Sequence, residues 1–235
     1  MASPVAVILQ SSYIPWLGYF DLIAASDVFV LFDDVQFTKR DWRNRNRIKT
    51  AAGPAWLTIP VVTKGRFNQP IDRVEIADAS WAEAHWRRIS HAYARAPHFA
   101  EFAPVIEELY RRAAALDRLS AVNRLFLEGL CDILSITPNF IDARMLSARG
   151  VKSDRLLDIC ARLGAASYLS GPSARAYLEP AKFKGAGVAL HYMDYSAYQE
   201  YDQLHGAFDP HVSILDLIFM TGASARGHLT FAGRP

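Results

Sequence analysis

The strongest constraint on the fold is a pair of short apolar runs, Val5–Leu9 and the run from Asp27 to Phe32, separated by a segment with helical spacing. A half-exposed strand alternates apolar and polar residues, because successive side chains point to opposite faces. Neither run alternates, so each is predicted to be covered on both faces, as strands of a parallel sheet are. Between them, Trp16–Ala25 puts Leu17, Phe20 and Ile23-Ala24 on one side of a helix. Strand, helix and strand within about 30 residues make a βαβ unit. The expected class is therefore α/β, with a Rossmann-like, mostly parallel sheet. Ligands of such sheets bind beyond the carboxyl ends of the strands, which sets Gln10–Tyr13 and Asp33–Gln36 side by side at one rim.

Further along, Trp56–Val62 is a strand candidate in which Pro60 marks an edge or bulge, and Val74–Ile76 is a short one. The pattern then turns helical over Trp81–Arg95, Phe99–Leu116 and Ser120–Ser135, with Ser80-Trp81-Ala82-Glu83 in the form of a capping box. The parallel pattern resumes with Asn139–Met145, a helix over Asp154–Leu163, and Ser167–Leu169 running into Ser170-Gly171-Pro172-Ser173. A strand over Val188–Tyr192 and a helix over Ser213–Met220 follow. The expected organisation is an N-terminal α/β half (1–79), a helical insertion or subdomain (80–136) and a C-terminal half (137–235) completing the same domain. The polar tail from Gly222 to Pro235 is expected to be partly mobile.

With 51% hydrophobic and 21% charged residues, the 235-residue chain can bury a sizeable core. The two cysteines, Cys131 and Cys160, sit inside apolar helical patterns without a Cys-x-x-Cys, so both read as core residues of a reduced, cytoplasmic protein. The N-terminus lacks a charged segment before its apolar run, so no signal peptide is expected. No run approaches the roughly 18 apolar residues of a membrane span, and the longest, Val212–Met220, is broken by Asp216. Net charge is +2, yet six of the eleven residues from Lys39 to Lys49 are Lys or Arg. A local patch on a near-neutral chain points to a small anionic ligand rather than nucleic acid.

Five groups of residues could carry chemistry. Gln10, Tyr13, Trp16, Gly18 and Tyr19 occupy the turn between the first strand and its helix, where backbone N–H groups favour phosphate or carboxylate. No G-x-G-x-x-G or P-loop accompanies them. Asp33 and Asp34 close the second strand; they could bind a cation, orient a hydroxyl or amine, act as a base, or simply cap a turn. Lys39, Arg40, Arg43, Arg45 and Arg47, with Gln36, Trp42, Asn44 and Asn46 among them, read as an anion-binding loop, guanidinium groups matching phosphate oxygens in pairs. Ser170-Gly171 and Tyr195 extend the list of ligand contacts. His205 and His211 lack metal-ligand spacing and are candidates for general acid or base work, with no metal expected.

Five blocks of residues resemble the WbqC-like family: Gln10-x-x-Tyr13-x-Pro15-Trp16-x-Gly18-Tyr19-Phe20; Asp33-Asp34-Val35-Gln36 with Lys39-Arg40-x-Trp42-x-Asn44-Arg45-Asn46; Trp56-Leu57-Thr58-Ile59-Pro60-Val61; Tyr168-Leu169-Ser170-Gly171-Pro172; and Phe208-x-Pro210-x-x-Ser213-Ile214-x-Asp216. The family's usual Gln-Pro after the first strand is Gln10-Ser11 here. The resemblance implies a cytoplasmic biosynthetic protein, because such proteins accompany genes for surface polysaccharides, nucleotide-linked amino sugars and secondary metabolites. The opening βαβ unit is also similar to that of nucleotidylyltransferases. Trp16-Leu17-Gly18-Tyr19 stands where they carry a His-x-Gly-His signature, so adenylyl transfer by a histidine pair is not expected.

Together these readings predict acyl or aminoacyl transfer to the amine of a nucleotide-linked or phosphorylated amino sugar or related metabolite. Asp33 or Asp34 would orient or deprotonate the amine and His205 or His211 would assist proton transfer. Gln10, Tyr13, Trp16, Gln36, Lys39, Arg40, Trp42, Asn44, Arg45, Asn46, Ser170, Gly171 and Tyr195 would hold the substrate. The co-substrate would be a thioester of coenzyme A or of a carrier protein; a carrier protein and a second copy of the chain are the macromolecular partners considered. The alternatives are nucleotidyl transfer and a non-catalytic module that binds a ligand or carrier.

Overall fold

Residues 3–230 are described by a computed structural model; residues 1–2 and 231–235, the end of the expected mobile tail among them, lie outside the described residues. Five strands, β1 (Val5–Leu9), β2 (Val28–Leu31), β5 (Phe140–Asp142), β6 (Ser167–Ser170) and β7 (Ala189–Tyr192), form a sheet in the order β5-β2-β1-β6-β7. Every neighbouring pair is parallel, with Ala6 beside Val28 and Val5 beside Ser167. The chain builds outward from β1 through β2 to β5, then returns to the other side of β1 for β6 and β7. The topological switch point therefore falls between β1 and β6.

The uninterrupted apolar runs have a simple cause. Val5, Val7, Phe29 and Leu31 face one core, while Ala6, Ile8 and Val30 face a second one on the opposite side of the sheet. The first face is covered by α1 (Leu17–Ala25), α2 (Trp81–Tyr93), α3 (Phe99–Ala113), α4 (Leu119–Ile133) and α7 (Ile214–Thr221), through residues such as Phe20, Ile89, Leu109, Phe126 and Phe219. The other is covered by α5 (Lys152–Leu163) and α6 (Pro180–Gly185), through Leu156, Ile159, Cys160 and Phe183. Full burial of side chains of this size stabilises by ~1.5–3 kcal/mol each. Among the described residues, no helix is long and apolar enough to cross a membrane.

Several local expectations are corrected. Arg45–Thr50, expected inside a loop, is strand β3, paired antiparallel with β4 (Gly53–Thr58) in the register Arg45 to Thr58. Asn46 and Ile48 turn inward while Arg45 and Arg47 lie outside over Trp56, so a polar residue occupies an inward position and hides the alternation. Strand β4 starts earlier than expected and stops before Pro60, which has no N–H to donate. Val74–Ile76 makes only isolated bridges, Ile76 to Val61 and Glu75 to Arg118. Ser80 caps nothing: its N–H and hydroxyl both donate to Asp78, at 2.9 and 2.7 Å. The described part of the tail is packed, with a 3-10 helix over Gly222–His228, Leu229 buried and the Thr230 N–H donating to Asp21.

Candidate functional site

Beyond β1 the chain turns sharply through Ser11, Ser12, Tyr13 and Ile14. Ile14 has φ of 35°, a left-handed conformation that is strained for a β-branched residue, by ~1–3 kcal/mol. Asn46 holds it there: its amide Nδ2 donates to the carbonyls of Tyr13 (3.1 Å) and Ile14 (2.9 Å). Tyr13, expected at the substrate, points instead into the helical layer. Its hydroxyl shares hydrogen bonds with Tyr110 (2.6 Å) and His85 Nδ1 (3.0 Å), and burial pushes the phenol up and His85 down to about 4.

At the switch point, between the ends of β1 and β6, lies a cavity of about 450 Å³. Ser12 and Ser170-Gly171 line it from the two strand ends, and Trp16, Trp42 and Tyr195 are among its aromatic walls. Gly18 lets the Trp16 indole fold over the first turn of α1, since a Cβ there would meet the ring at 2.4 Å. Trp16 meets Tyr195 edge-on at 4.9 Å, and Trp42 leans on Trp56 at 5.3 Å. Arg43 and His211 also line the cavity; among the described residues that do, none is an aspartate or glutamate. The Arg43 guanidinium donates through one terminal nitrogen to the Gln10 carbonyl (3.0 Å), its other terminal nitrogen stands 3.9 Å from the Asp41 carboxylate, and its buried Nε has no partner among the described residues.

A second cavity of about 340 Å³ opens beyond β2 and β5. Strand β2 has ended by Leu31, so Asp33 and Asp34 sit together in a turn and both line this cavity with Asp72, Asp142, Arg118, Arg124 and Arg144. Three of these carboxylates are neutralised: Asp34 by Arg155, Asp72 by Arg144 (2.5 Å) and Asp142 by Arg124 (3.1 Å). Asp33 differs. It is buried, and it accepts from the Ser11 N–H at 2.8 Å and from the Ser11 hydroxyl. Desolvation pushes its carboxyl up to about 6, against the opposing pull of the Ser11 bonds and the more distant Arg43.

A polar partition thus separates the cavities: Ser11, Asp33, Arg43 and Asn123. The Asn123 amide donates to the Ser11 hydroxyl and to the Arg43 carbonyl, both at 2.9 Å, and its buried Oδ1 has no partner among the described residues. Asn123 lies in mid-helix on α4, with no local signal to reveal it. Arg124, Arg144 and Asp72 likewise carry no local signal that would mark them in the sequence.

The stretch expected to form one wall is instead divided. Trp42 and Asn46 line the switch-point cavity and Asp33-Asp34 the other. Gln36 is exposed and donates to the Phe67 carbonyl (3.1 Å); Lys39 and Arg40 are exposed, Arg40 at φ 60° with its carbonyl accepting from Arg45. Asn44 is buried and ties down the Ile59 carbonyl (2.9 Å), and Arg45 lies over Trp56 at 4.1 Å. Gln10 contributes its carbonyl, which also accepts from Tyr19 at 2.9 Å. Of the two histidines, His211 lines the switch-point cavity, whereas His205 packs with Nε2 3.2 Å from the Ala92 carbonyl. Cys131 and Cys160 are buried as expected; burial pushes both thiols up, Cys160 to about 12.

Fold and site define a Rossmann-like α/β protein with two chemically distinct cavities at the carboxyl edge of its sheet. The chain belongs to the WbqC-like protein family, whose model matches residues 10–228. It is 45% identical over 224 residues, 95% of this chain and 96% of the relative, to the uncharacterized protein Rv1507c of Mycobacterium tuberculosis (strain ATCC 25618 / H37Rv). No solved structure matches it.

Proposed function

We propose that the protein is a biosynthetic transferase that moves an acyl or aminoacyl group onto the amine of a phosphorylated or nucleotide-linked amino sugar or related metabolite. The observation that carries this reading is Asp33: a buried carboxylate with no ion-pair partner among the described residues, held near pKa 6 at a strand end and lining a ligand-sized cavity. An ammonium group must lose a proton before its nitrogen can attack a carbonyl carbon, and a base with a pKa near neutrality suits that task. The cavity also suits an ammonium donor, because the buried Oδ1 atoms of Asp34 and Asp72 have no donor among the described residues. In the step itself the ammonium gives one proton to Asp33, the freed nitrogen forms a bond to the thioester carbon, the C–S bond breaks with its electron pair leaving on sulfur, and the second nitrogen proton passes to the departing thiolate. Of the two candidate histidines, His211 is the one with access to a cavity.

The test is incubation of the purified protein with amino-sugar nucleotides and acyl or aminoacyl thioesters, followed by mass spectrometry for the amide. Product that disappears in Asp33→Asn supports the reading. Absence of product from every pair, or product undiminished in Asp33→Asn, would sink it.

A further inference from the structure

We infer that the cavity between β1 and β6 is a nucleoside-phosphate site, with the base stacked on Trp42 and the phosphate on Arg43. This deepens the transferase reading and rests on it only for the identity of the reaction; the binding itself is separable. Topology supplies the place: at a switch point the connections on either side run away from each other and leave a crevice. The volume, about 450 Å³, falls within the ~300–1,000 Å³ of small-molecule sites.

The side chains supply the chemistry. Trp42 is 41% exposed yet lines the cavity, and it is braced by Trp56, itself under the Arg45 guanidinium. An indole held at a cavity mouth is a stacking surface for a flat base. Arg43 is the one lysine or arginine among the described lining residues; its guanidinium stands 3.9 Å from the Asp41 carboxylate, which is not a lining residue, and its Nε lacks a partner among the described residues. A phosphate makes closer, charge-assisted hydrogen bonds than that loose pairing does. No aspartate or glutamate among the described lining residues opposes an anion there, whereas the arginines of the neighbouring cavity stand among four aspartates, Arg124 and Arg144 paired with two of them. The aromatic walls, which the neighbouring cavity lacks among its described lining residues, favour a flat anionic ligand at the switch point.

Two sources share this chemistry: the nucleoside diphosphate of a nucleotide-linked sugar, and the adenine nucleotide of coenzyme A. Calorimetric titration of the full chain with uridine 5′-diphosphate, adenosine 5′-diphosphate and coenzyme A separates them. Saturable binding of a diphosphate but not coenzyme A assigns the cavity to the sugar nucleotide; binding of coenzyme A in preference assigns it to the acyl donor. Trp42→Ala removes a partly exposed side chain and is expected to weaken binding roughly 5- to 150-fold, the range for loss of one stacked base. Arg43→Gln is expected to weaken it and to flatten its salt dependence. Because Arg43 also holds the Gln10 carbonyl, circular dichroism accompanies that variant and Trp42→Ala carries the test if it misfolds. Asp33→Asn, in the other cavity but joined to Arg43 through the polar partition, is expected to abolish turnover while binding remains saturable. Failure of all three ligands to bind, or binding untouched by Trp42→Ala, overturns the inference. Amide formation without nucleotide binding would overturn it and leave the transferase reading standing, and binding without amide formation does the reverse.

Discussion

The two cavities lie beyond the carboxyl ends of adjacent strands of one sheet, at about 450 and 340 Å³, and their chemistry is opposite. One is aromatic, with Arg43 and His211 and no aspartate or glutamate among its described lining residues. The other gathers Asp33, Asp34, Asp72 and Asp142 with Arg118, Arg124 and Arg144. Sheet topology determines where ligands can sit. The turns that follow each strand determine which ligands are accepted. Ser11 belongs to the turn of β1 and Asp33 to that of β2, and the 2.8 Å hydrogen bond between them ties the two sites together.

The sharpest way to break this comparison is Asp33→Asn. If Asp33 is the base, turnover falls ~10²–10⁴-fold. Stability moves the other way. The carboxyl titrates near 6 in the folded protein against an ordinary value of 3.8, so between those pH values the native state holds a proton that the unfolded chain has released. Its contribution to stability is complete below pH 3.8 and is lost as pH rises through 6. At pH 7 the ionised group costs up to ~3 kcal/mol, because a tenfold change in proton affinity between folded and unfolded chain is worth ~1.4 kcal/mol. Asparagine keeps an acceptor for the Ser11 N–H without the charge. Thermal unfolding of Asp33→Asn is therefore expected to show a higher midpoint than the parent at about pH 7 and no gain at about pH 3.5. Equal midpoints at neutral pH would show that Asp33 is not held out of water.

Next in size is Asp216→Ala, which bears on the switch-point cavity alone. The irregular segment 193–213 carries Tyr195 and His211 to that cavity. It is strapped down by the Tyr201 hydroxyl donating to buried Asp216 (2.9 Å) and by the Tyr198 hydroxyl donating to Asp21 (2.8 Å). Asp216 also accepts from Tyr93 at 2.9 Å. Its removal leaves the buried Tyr93 hydroxyl and the half-buried Tyr201 hydroxyl without this acceptor and is expected to cost ~2–4 kcal/mol. Limited proteolysis within 194–212 should accelerate, and the switch-point cavity should lose ligand affinity. Proteolysis unchanged in the variant would mean the strap is held by other contacts.

What the sequence disclosed about this molecule follows from where its signals are local. Strands β1 and β2 are legible because burial on both faces leaves nothing to alternate, and Asp33-Asp34 because two carboxylates directly after such a strand are unusual. Strand β3 is not legible, since Asn46 takes an inward position to hold the Ile14 turn and reads as one more polar loop residue. The separation of the sites is also invisible. It depends on Asn123 from α4 and Asp72 and Arg144 from distant turns meeting the strand ends. Nor does the chain distinguish His205 from His211: both lie in the same irregular segment, and only its folded path sends one to a cavity and the other against Ala92.

The smallest expected effect tests whether the second cavity acts as one electrostatic unit. Arg144 and Asp72 are 51% and 21% exposed, and the pair is worth at most ~1 kcal/mol to stability. Arg144→Ala should therefore leave the unfolding midpoint nearly unchanged. Its effect on Asp33 has a definite sign. The Asp72 charge already helps to hold the Asp33 carboxyl up; without Arg144 that charge is less compensated, so the pKa moves further up. Asp72→Asn removes the charge and moves it down. The rate of a reaction that needs ionised Asp33 rises about tenfold per pH unit below the pKa and levels off above it. The bend near pH 6 should therefore move by a few tenths of a pH unit, to higher pH in Arg144→Ala and to lower pH in Asp72→Asn. A bend that stays in place in both variants would assign the titration to a group outside this cavity, and the contrast between the two sites would then rest on shape alone.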